Sequence, residues 1–271
     1  MPELPEVETI VRGLASCILN KVIAHVDVNL PRMVTPAPPL FEAMLRGQTL
    51  RACERRAKYI VFTLDHGYQL IVHLRMTGRF MYAQADDAAP PYSHVHFRFT
   101  DGTQLFFADT RTFGRMRIVE PDEAWAAGLG VEPLSPEFTV NALHALCKGR
   151  TTPIKTFLLD QRHIAGIGNI YACEALWQAR IAPSTPAGNL KPAARAALHA
   201  ALQDVLERAI HMRGTSARDY VDAEGLKGGF QNVLTVYGRH GQACPRPRCG
   251  GSIERSVLAQ RGTWWCRRCQ R

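Results

Sequence analysis

The chain has 271 residues, with 33 Lys and Arg against 24 Asp and Glu, which gives a formal net charge of +9 at pH 7. This length allows one large domain or two modest ones, and the basic balance favours a polyanionic partner, nucleic acid before membrane. The apolar runs fall short of a membrane span, and the polar, proline-containing start does not resemble a signal peptide. We therefore expect a cytoplasmic protein with no membrane partner.

The first eight residues carry the strongest local signal, Met-Pro-Glu-Leu-Pro-Glu-Val-Glu. Removal of Met1 would make Pro2 a terminal secondary amine with a pKa of about 7.7–8.0. Such an amine can attack a sugar or carbonyl carbon and form an iminium intermediate. Glu3 is adjacent and can transfer protons to and from the same centre. The alternative is a simple helix start, which explains Pro5 but not the Pro2-Glu3 pair.

The first half of the chain predicts one helix followed by strands. Apolar residues at helical spacing predict a helix that ends before Asn20 (Val7, Ile10, Val11 and Leu14). Strand-like segments follow at residues 22–30, 59–64, 69–74, 94–100 and 104–108, and Pro/Ala-rich loops are predicted at 31–39 and 84–91. We interpret residues 1–131 as a β-sandwich or barrel that carries a leading helix.

The second half predicts helices, beginning after a linker at residues 131–136. The clearest helix covers residues 193–212 and stops before Gly214. We therefore predict a helical domain at residues 132–236, followed by a small module at 237–271.

Four cysteines lie in that last module, as Cys244-x4-Cys249 and Cys266-x2-Cys269. Two knuckles separated by the length of a hairpin suit a tetrahedral zinc ion, with strands at residues 252–258 and 263–265. A disulfide pair or unused thiols are the alternative. The other cysteines are predicted to be small buried residues of a protein in a reducing compartment (Cys17, Cys53, Cys147 and Cys173). The many arginines around the ribbon favour nucleic acid as its partner.

The two ends of the chain, PELPEVET and QRGTWWCRRCQ, resemble the bacterial formamidopyrimidine-DNA glycosylase family, the 8-oxoguanine DNA glycosylases of base-excision repair. The resemblance implies an α+β multidomain fold: an N-terminal β-sandwich with a leading helix, a helical domain with a helix-two-turn-helix, and a C-terminal zinc ribbon. It also implies removal of oxidised purines from double-stranded DNA, strand cleavage by β,δ-elimination, one structural zinc ion and a monomeric enzyme.

The resemblance also implies the catalytic residues. It makes Pro2 the nucleophile at C1′ of the damaged nucleotide and Glu3 the acid and base. Lys58 matches the lysine that assists β-elimination, although a lysine in this setting is otherwise an ordinary solvated charge. Arg261 matches the arginine that grips a phosphate and assists δ-elimination, for which a guanidinium fork is suited. The zinc ligands are Cys244, Cys249, Cys266 and Cys269.

Further residues match DNA-contacting positions of the family: His94, Arg150, Lys155 and Asn169, the last in the helix-two-turn-helix signature 161–171. Met76, Arg111 and Phe113 match three residues that fill the space left by the extruded base. Without the family match, Met76 would be predicted to be a buried core residue. The glycine-rich segment 214–230, which contains Thr215, Ser216 and Arg218, resembles the loop that caps the flipped base.

Three motifs depart from the family pattern. The first knuckle is Cys-x4-Cys where Cys-x2-Cys is usual, Thr112 replaces a cation in Asp-Thr-Arg-Thr-Phe-Gly, and Arg75 replaces glycine in His-Leu-Arg-Met. Two alternative functions remain at this point. One is an endonuclease VIII-like glycosylase for oxidised pyrimidines, and the other is a non-catalytic zinc-containing DNA-binding module.

Overall fold

The computed structural model describes residues 1–216 and 227–271, which form two compact units. One unit comprises residues 1–127 and 212–229, and the other comprises residues 128–211 and 230–271. Most of the predicted capping loop, including Arg218, lies outside the described residues. The boundaries at residues 131 and 236 remain a prediction.

The first unit is a sandwich of two sheets. Its helices are α1 (Leu4–Ile18) and α2 (Pro38–Leu45), and its strands are β1 (Ile23–Val28), β2 (Val34–Thr35), β3 (Leu50–Arg56), β4 (Tyr59–Leu64), β5 (Gln69–His73), β6 (Arg79–Ala83), β7 (Ser93–Phe99), β8 (Gln104–Ala108) and β9 (Arg115–Val119). One sheet has the order β1-β7-β8-β6 and the other β2-β9-β5-β4-β3. A single apolar cluster contains side chains from both sheets and both helices, so the predicted sandwich is confirmed.

Helix α1 forms as the sequence predicts. Pro5 lies in its first turn, and its apolar stripe is buried in the sandwich core. Glu3 and Glu6 form a reciprocal capping box that satisfies backbone donors at the helix start. The helix ends at Ile18, and Asn20 follows with a left-handed φ of 63°.

The sequence does not predict four strands: β2, β3, β6 and β9. In β3 and β9, arginines on the outer face obscure the apolar alternation. In β3 the inner positions are Leu50 and Cys53, and the intervening residues are charged or small. The predicted loop at residues 31–39 is also wrong, since it contains β2 and the beginning of α2. A proline in the first turn is compatible with a helix, which is why a Pro-rich segment can begin one.

The second unit contains α3 (Val140–Cys147), α4 (Ile154–Leu159), α5 (Asn169–Gln178), α6 (Pro192–His211) and the hairpin strands β10 (Glu254–Leu258) and β11 (Arg261–Trp265). Helices α4 and α5 and the turns between them cover the segment predicted as a helix-two-turn-helix. Helix α6 is followed by Arg213 and Gly214, both with positive φ, as expected for a helix stop. Among the described residues, no helix is both long and apolar enough to span a bilayer.

The β10–β11 hairpin closes through a two-residue turn. Leu258 pairs with Arg261, and the turn residues Ala259 and Gln260 have φ of 47° and 59°. Two successive positive φ values define a type I′ turn, which normally selects glycine or asparagine. Arg261 is thus the first residue of β11, which begins two residues before the strand predicted at 263–265. Ala259 and Gln260 adopt a conformation that costs energy for residues other than glycine, so the surrounding structure must stabilise this turn.

Candidate functional site

The amino end of α1 is fixed by a buried carboxylate. Glu6 is 2% exposed; its Oε2 accepts the Glu3 backbone N–H at 2.8 Å, and its Oε1 accepts the Thr215 N–H at 2.7 Å. Pro2 and Glu3 are both buried at this end of the helix. Glu6 therefore positions the backbone immediately beside Pro2. The contact of Glu6 with Thr215, 209 residues later, could not be predicted from the sequence.

Lys58 lies in the tight turn between β3 and β4, beside the left-handed Ala57. It is 6% exposed, so the reading of Lys58 as an ordinary solvated charge is wrong. Arg55, at the end of β3, donates from Nε to Glu8 of α1 at 2.9 Å and from Nη1 to the Ala57 carbonyl at 3.2 Å. These bonds hold the turn that carries Lys58 against the first half of α1.

His73 is a buried neighbour of this turn. Burial and the nearby cations Arg75 and Lys58 lower its pKa to about 3, so the imidazole is neutral at pH 7. Its Nδ1 accepts the Arg75 N–H at 3.0 Å, which supports the left-handed φ of 56° at Arg75. A glycine adopts this φ without steric cost, which explains why glycine suits the family pattern at this position.

The three residues predicted to fill the space of an extruded base are exposed. Met76 is 40% and Phe113 48% exposed, and Arg111 is also at the surface, with its guanidinium 5.0 Å from the Phe113 ring centroid. The alternative of a core methionine is therefore wrong. Large apolar side chains left in solvent beside an arginine are suited to contact a partner.

A buried aspartate joins the two loops that carry these side chains. Asp109 is 1% exposed and accepts hydrogen bonds from the Thr77 hydroxyl, the Arg111 N–H at 3.1 Å and the Gly114 N–H at 2.8 Å. Its backbone carbonyl is 2.9 Å from His94 Nε2, which brings the predicted His94 to the same place. Sequence reasoning missed Asp109, although its position in the Asp-Thr-Arg-Thr-Phe-Gly motif was a usable signal.

The same loops converge on one aromatic ring beneath them. A Cβ at Gly78 would come within 2.8 Å of the Phe107 ring, and a Cβ at Gly114 within 2.6 Å. Phe107 is fully buried. Both glycines are therefore required for the two loops to approach the Phe107 ring this closely. The positions of Met76 and Phe113 depend on this packing.

We expect Asp109→Ala to lower the free energy of unfolding by about 3 kcal/mol, because three donors lose their buried acceptor. Urea denaturation followed by fluorescence measures this change. Asp86→Ala, at an exposed aspartate, is the matched control and should leave the midpoint unchanged. A parental midpoint for Asp109→Ala would exclude the role of this carboxylate.

In the second unit, Lys155 is fully buried. Its Nζ donates to Asn169 Oδ1 at 2.6 Å, the Gly262 carbonyl at 3.0 Å and Thr263 Oγ1 at 2.8 Å. Asn169 Nδ2 donates to the same Gly262 carbonyl at 3.0 Å. Lys155 and Asn169 thus tie α4 and α5 to the start of β11, next to Arg261.

A cavity of about 330 Å³ lies beside this junction, and Arg150, Arg162 and Arg261 are among the residues that line it. Arg162 pairs with Asp160 and lowers the pKa of that carboxyl to about 2. The structure therefore brings the predicted Arg150 and Arg261 to one basic cavity. Guanidinium groups in such a cavity suit phosphate oxygens.

Glu174, in the middle of α5, binds the backbone of the segment that leads into the ribbon. Its carboxylate accepts the backbone N–H groups of Thr235, Val236 and Tyr237, the last two at 2.9 and 2.8 Å. The residue is 3% exposed. A charged residue inside the apolar stretch of α5 was a signal for this contact, and sequence reasoning did not use it.

The four predicted zinc ligands meet in one cluster. Their Sγ atoms lie within 4.8 Å of one another, with Cys244–Cys269 at 3.8 Å and Cys249–Cys266 at 3.6 Å. Zn–S bonds of about 2.3 Å place tetrahedral thiolates about 3.8 Å apart, so the cluster fits the ion. These distances exclude disulfide bonds, and the structure describes all eight cysteines as free.

The electrostatics of the cluster also favour a cation. Burial and the neighbouring thiols Cys266 and Cys244 raise the pKa of Cys269 to about 12. At Cys244, burial opposes ionisation, but hydrogen bonds from the Trp177 indole and the Arg246 backbone lower the pKa to about 7. Four adjacent thiols therefore cannot all ionise at neutral pH unless a bound cation compensates their charge.

Comparison with known proteins agrees with these observations. Three family models match the chain: the formamidopyrimidine-DNA glycosylase N-terminal domain at residues 1–116, the H2TH domain of the same glycosylase at 129–221, and the zinc finger found in FPG and IleRS at 241–271. The chain belongs to the formamidopyrimidine-DNA glycosylase family. The helix-two-turn-helix and the zinc ribbon are thereby confirmed, and the ribbon is assigned one structural Zn²⁺.

Two curated formamidopyrimidine-DNA glycosylases illustrate the similarity. The protein of Chloroflexus aggregans is 46% identical, with 100% of this chain and 98% of that protein covered. The protein of Enterococcus faecalis is 44% identical, with coverage of 100% and 97%.

Solved structures of the Lactococcus lactis glycosylase (Fpg) are also similar. Its complex with DNA containing an abasic site has a TM-score of 0.92 at 35% identity, covering 99% of both chains. A complex of a point mutant of that glycosylase with Fapy-dG-containing DNA has a TM-score of 0.92 at 35% identity, covering 100% of both chains. A third complex, of the wild-type glycosylase with DNA containing an oxidised pyrimidine, has a TM-score of 0.91 at 35% identity and also covers 100% of both chains.

Proposed function

We propose that this protein excises oxidised purines, 8-oxoguanine and formamidopyrimidines, from duplex DNA and then cleaves the abasic strand. The observation that carries the proposal is the full-length match to formamidopyrimidine-DNA glycosylases, whose solved complexes contain lesion or abasic DNA. The basic charge of the chain supports a DNA substrate. The enzyme acts as a monomer at the DNA of the nucleoid.

Pro2 is the proposed nucleophile. After removal of Met1, its nitrogen lone pair attacks C1′ of the damaged nucleotide and displaces the base. Loss of the amine proton and cleavage of the bond from C1′ to O4′ then open the sugar ring and leave an iminium ion. Glu3 moves the protons that ring opening and later hydrolysis require. The hydrogen bond from the Glu3 N–H to the Glu6 carboxylate supports this role because it fixes the backbone beside the amine.

Lys58 and Arg261 are proposed to act on the strand-cleavage steps. Lys58 is a buried ammonium in a turn braced by Arg55, a setting that supports assistance to β-elimination. Arg261 directly follows the strained turn at Ala259 and Gln260 and lines a basic cavity, which supports phosphate binding during δ-elimination. Arg150 and His94 are proposed to contact the DNA backbone, and Asn169 to orient the turn that carries Arg261.

The role proposed for Lys155 differs from a direct DNA contact. Its ammonium is fully buried and donates to Asn169, Gly262 and Thr263, so we assign it to support of the Arg261 turn. The void-filling role of Met76, Arg111 and Phe113 is supported by their exposure on loops held by Asp109.

Borohydride trapping tests the proposed activity. The iminium ion is reduced to a stable amine, which links protein and DNA covalently. We expect an adduct with an 8-oxoguanine:C duplex; the absence of an adduct would leave a DNA-binding module without catalysis. A thymine glycol duplex run in parallel tests the second substrate class, which the oxidised-pyrimidine complex of the Lactococcus lactis protein favours.

Arg111→Ala should remove the preference for cytosine opposite the lesion. An arginine fork that replaces the lost pairing to the orphan cytosine is worth about 1–3 kcal/mol of discrimination. We expect the ratio of kcat/KM opposite C to kcat/KM opposite A to fall by about tenfold. Arg51→Ala, at an exposed arginine on β3, is the matched control. A parental ratio in Arg111→Ala would exclude the assigned role.

A further inference from the structure

The first zinc knuckle is two residues longer than the family pattern, and one residue within it, Arg246, contacts the preceding helix. Arg246, within Cys244-x4-Cys249, donates from Nη2 to the carbonyls of Trp177 and Gln178, the last residues of α5. Its guanidinium lies 4.5 Å from the centroid of the Trp177 ring. The longer knuckle therefore docks on the end of a helix.

This end of α5 suits a cation. The last carbonyls of a helix lack the partner four residues later, and the aligned peptide dipoles make this end negative. The Trp177 carbonyl accepts the Arg180 N–H at 3.1 Å and has a second lone pair that can accept from Arg246. A guanidinium placed over an indole gains a further cation–π attraction. Arg246 donates to the carbonyls, places a positive charge at the negative end of the helix and stacks over the indole. A lysine would supply the charge but not the planar guanidinium.

Trp177 contacts the zinc cluster itself. Its indole Nε1 lies 3.4 Å from Cys244 Sγ and donates a hydrogen bond to that sulfur. Both residues belong to a small apolar cluster with Ile253 and Val236. Four thiolates around one Zn²⁺ carry excess negative charge, so a donor to sulfur stabilises the loaded cluster.

We propose that Trp177 and Arg246 form an outer shell of the zinc site that belongs to this chain's extended knuckle. Trp177 is a positioning residue: it holds Cys244 in its ligating orientation and reduces the nucleophilicity of the thiolate through the N–H···S bond. Arg246 fixes the Trp177 ring and anchors the knuckle to α5. Zinc retention is then a joint property of the ribbon and the helix-two-turn-helix.

The first test uses the cadmium-substituted full-length protein. A hydrogen bond to a metal-bound thiolate transmits scalar coupling between the donor proton and ¹¹³Cd. The chain has four tryptophans, and we expect one indole N–H resonance to couple to ¹¹³Cd and to vanish in Trp177→Phe. Absence of coupling at all four indole protons would overturn the proposal without any variant.

The second test measures zinc release from the loaded protein to a chromogenic chelator in the presence of a thiol-reactive disulfide. Outer-shell changes at metal sites typically cost about 10–100-fold, so we expect release from Trp177→Phe to be about tenfold faster. Arg246→Gln should accelerate release, and Arg246→Lys should restore part of the retention.

Trp264→Phe is the matched control, because Trp264 packs in the same cluster through ring contacts with Tyr237 and Arg255. It should release zinc at the parental rate. Equal acceleration in Trp177→Phe and Trp264→Phe would assign the effect to lost packing and overturn the role of the indole N–H. A parental rate in Trp177→Phe would overturn it as well.

Discussion

Pro2→Gly should bind lesion-containing duplex with nearly parental affinity while excision and borohydride trapping fall by on the order of 100-fold or more. The substitution replaces a secondary amine by a primary one at a position fixed by the Glu6 cap, and it removes the ring that restricts the nucleophile. The residues proposed to contact phosphates, such as Arg150, lie elsewhere in the chain, so we expect binding to be retained. Single-turnover incision and gel shift measure the two properties.

Pro5→Ala is the matched control, because Pro5 lies in the first turn of the same helix but carries no terminal amine. It should change stability and leave adduct formation intact. A preparation in which Met1 is retained should behave like an inactive enzyme, since the Pro2 nitrogen is then an amide. Full excision by protein whose intact mass includes Met1 would exclude the Schiff-base mechanism.

The features that the sequence predicted well are those set by local spacing. Helix α1 follows from an apolar stripe and Pro5, and the zinc ribbon follows from four cysteines at knuckle spacing. Each of these signals lies within a short segment, so no knowledge of distant contacts is needed. The roles of Pro2 and Glu3 remain predictions, which rest on the family resemblance together with the chemistry of a terminal amine.

The features that could not be predicted depend on contacts between distant segments. Asp109 gains its importance because Thr77, 32 residues earlier, donates to it. The sequence predicts that Lys155 contacts DNA. In the structure, Lys155 is buried against Thr263, 108 residues later. Strand β3 was missed because its pairing with β4, rather than its own alternation, stabilises it. Propensity and spacing carry no information about such partners.

Cys266→Ser should abolish zinc binding and weaken duplex binding by at least about tenfold, which corresponds to about 1.4 kcal/mol. Cys266 is fully buried, its Sγ is 3.6 Å from that of Cys249, and a Cβ at Gly251 would come within 2.9 Å of it. The ribbon has a small apolar cluster, so thiolate–zinc bonds supply much of its folding free energy. Without the ion, the hairpin no longer presents Arg261.

The matched control is Cys147→Ser, which alters a buried thiol in α3 whose pKa is raised to about 11 by burial and which is not a zinc ligand. It should retain one zinc per chain and bind DNA normally. Parental protein stripped of metal by a chelator should bind DNA as weakly as Cys266→Ser and recover on addition of Zn²⁺, because the metal rather than the sulfur is the common cause. If Cys266→Ser binds duplex with parental affinity, the ribbon is not part of the DNA-binding surface, and the role assigned to Arg261 is wrong.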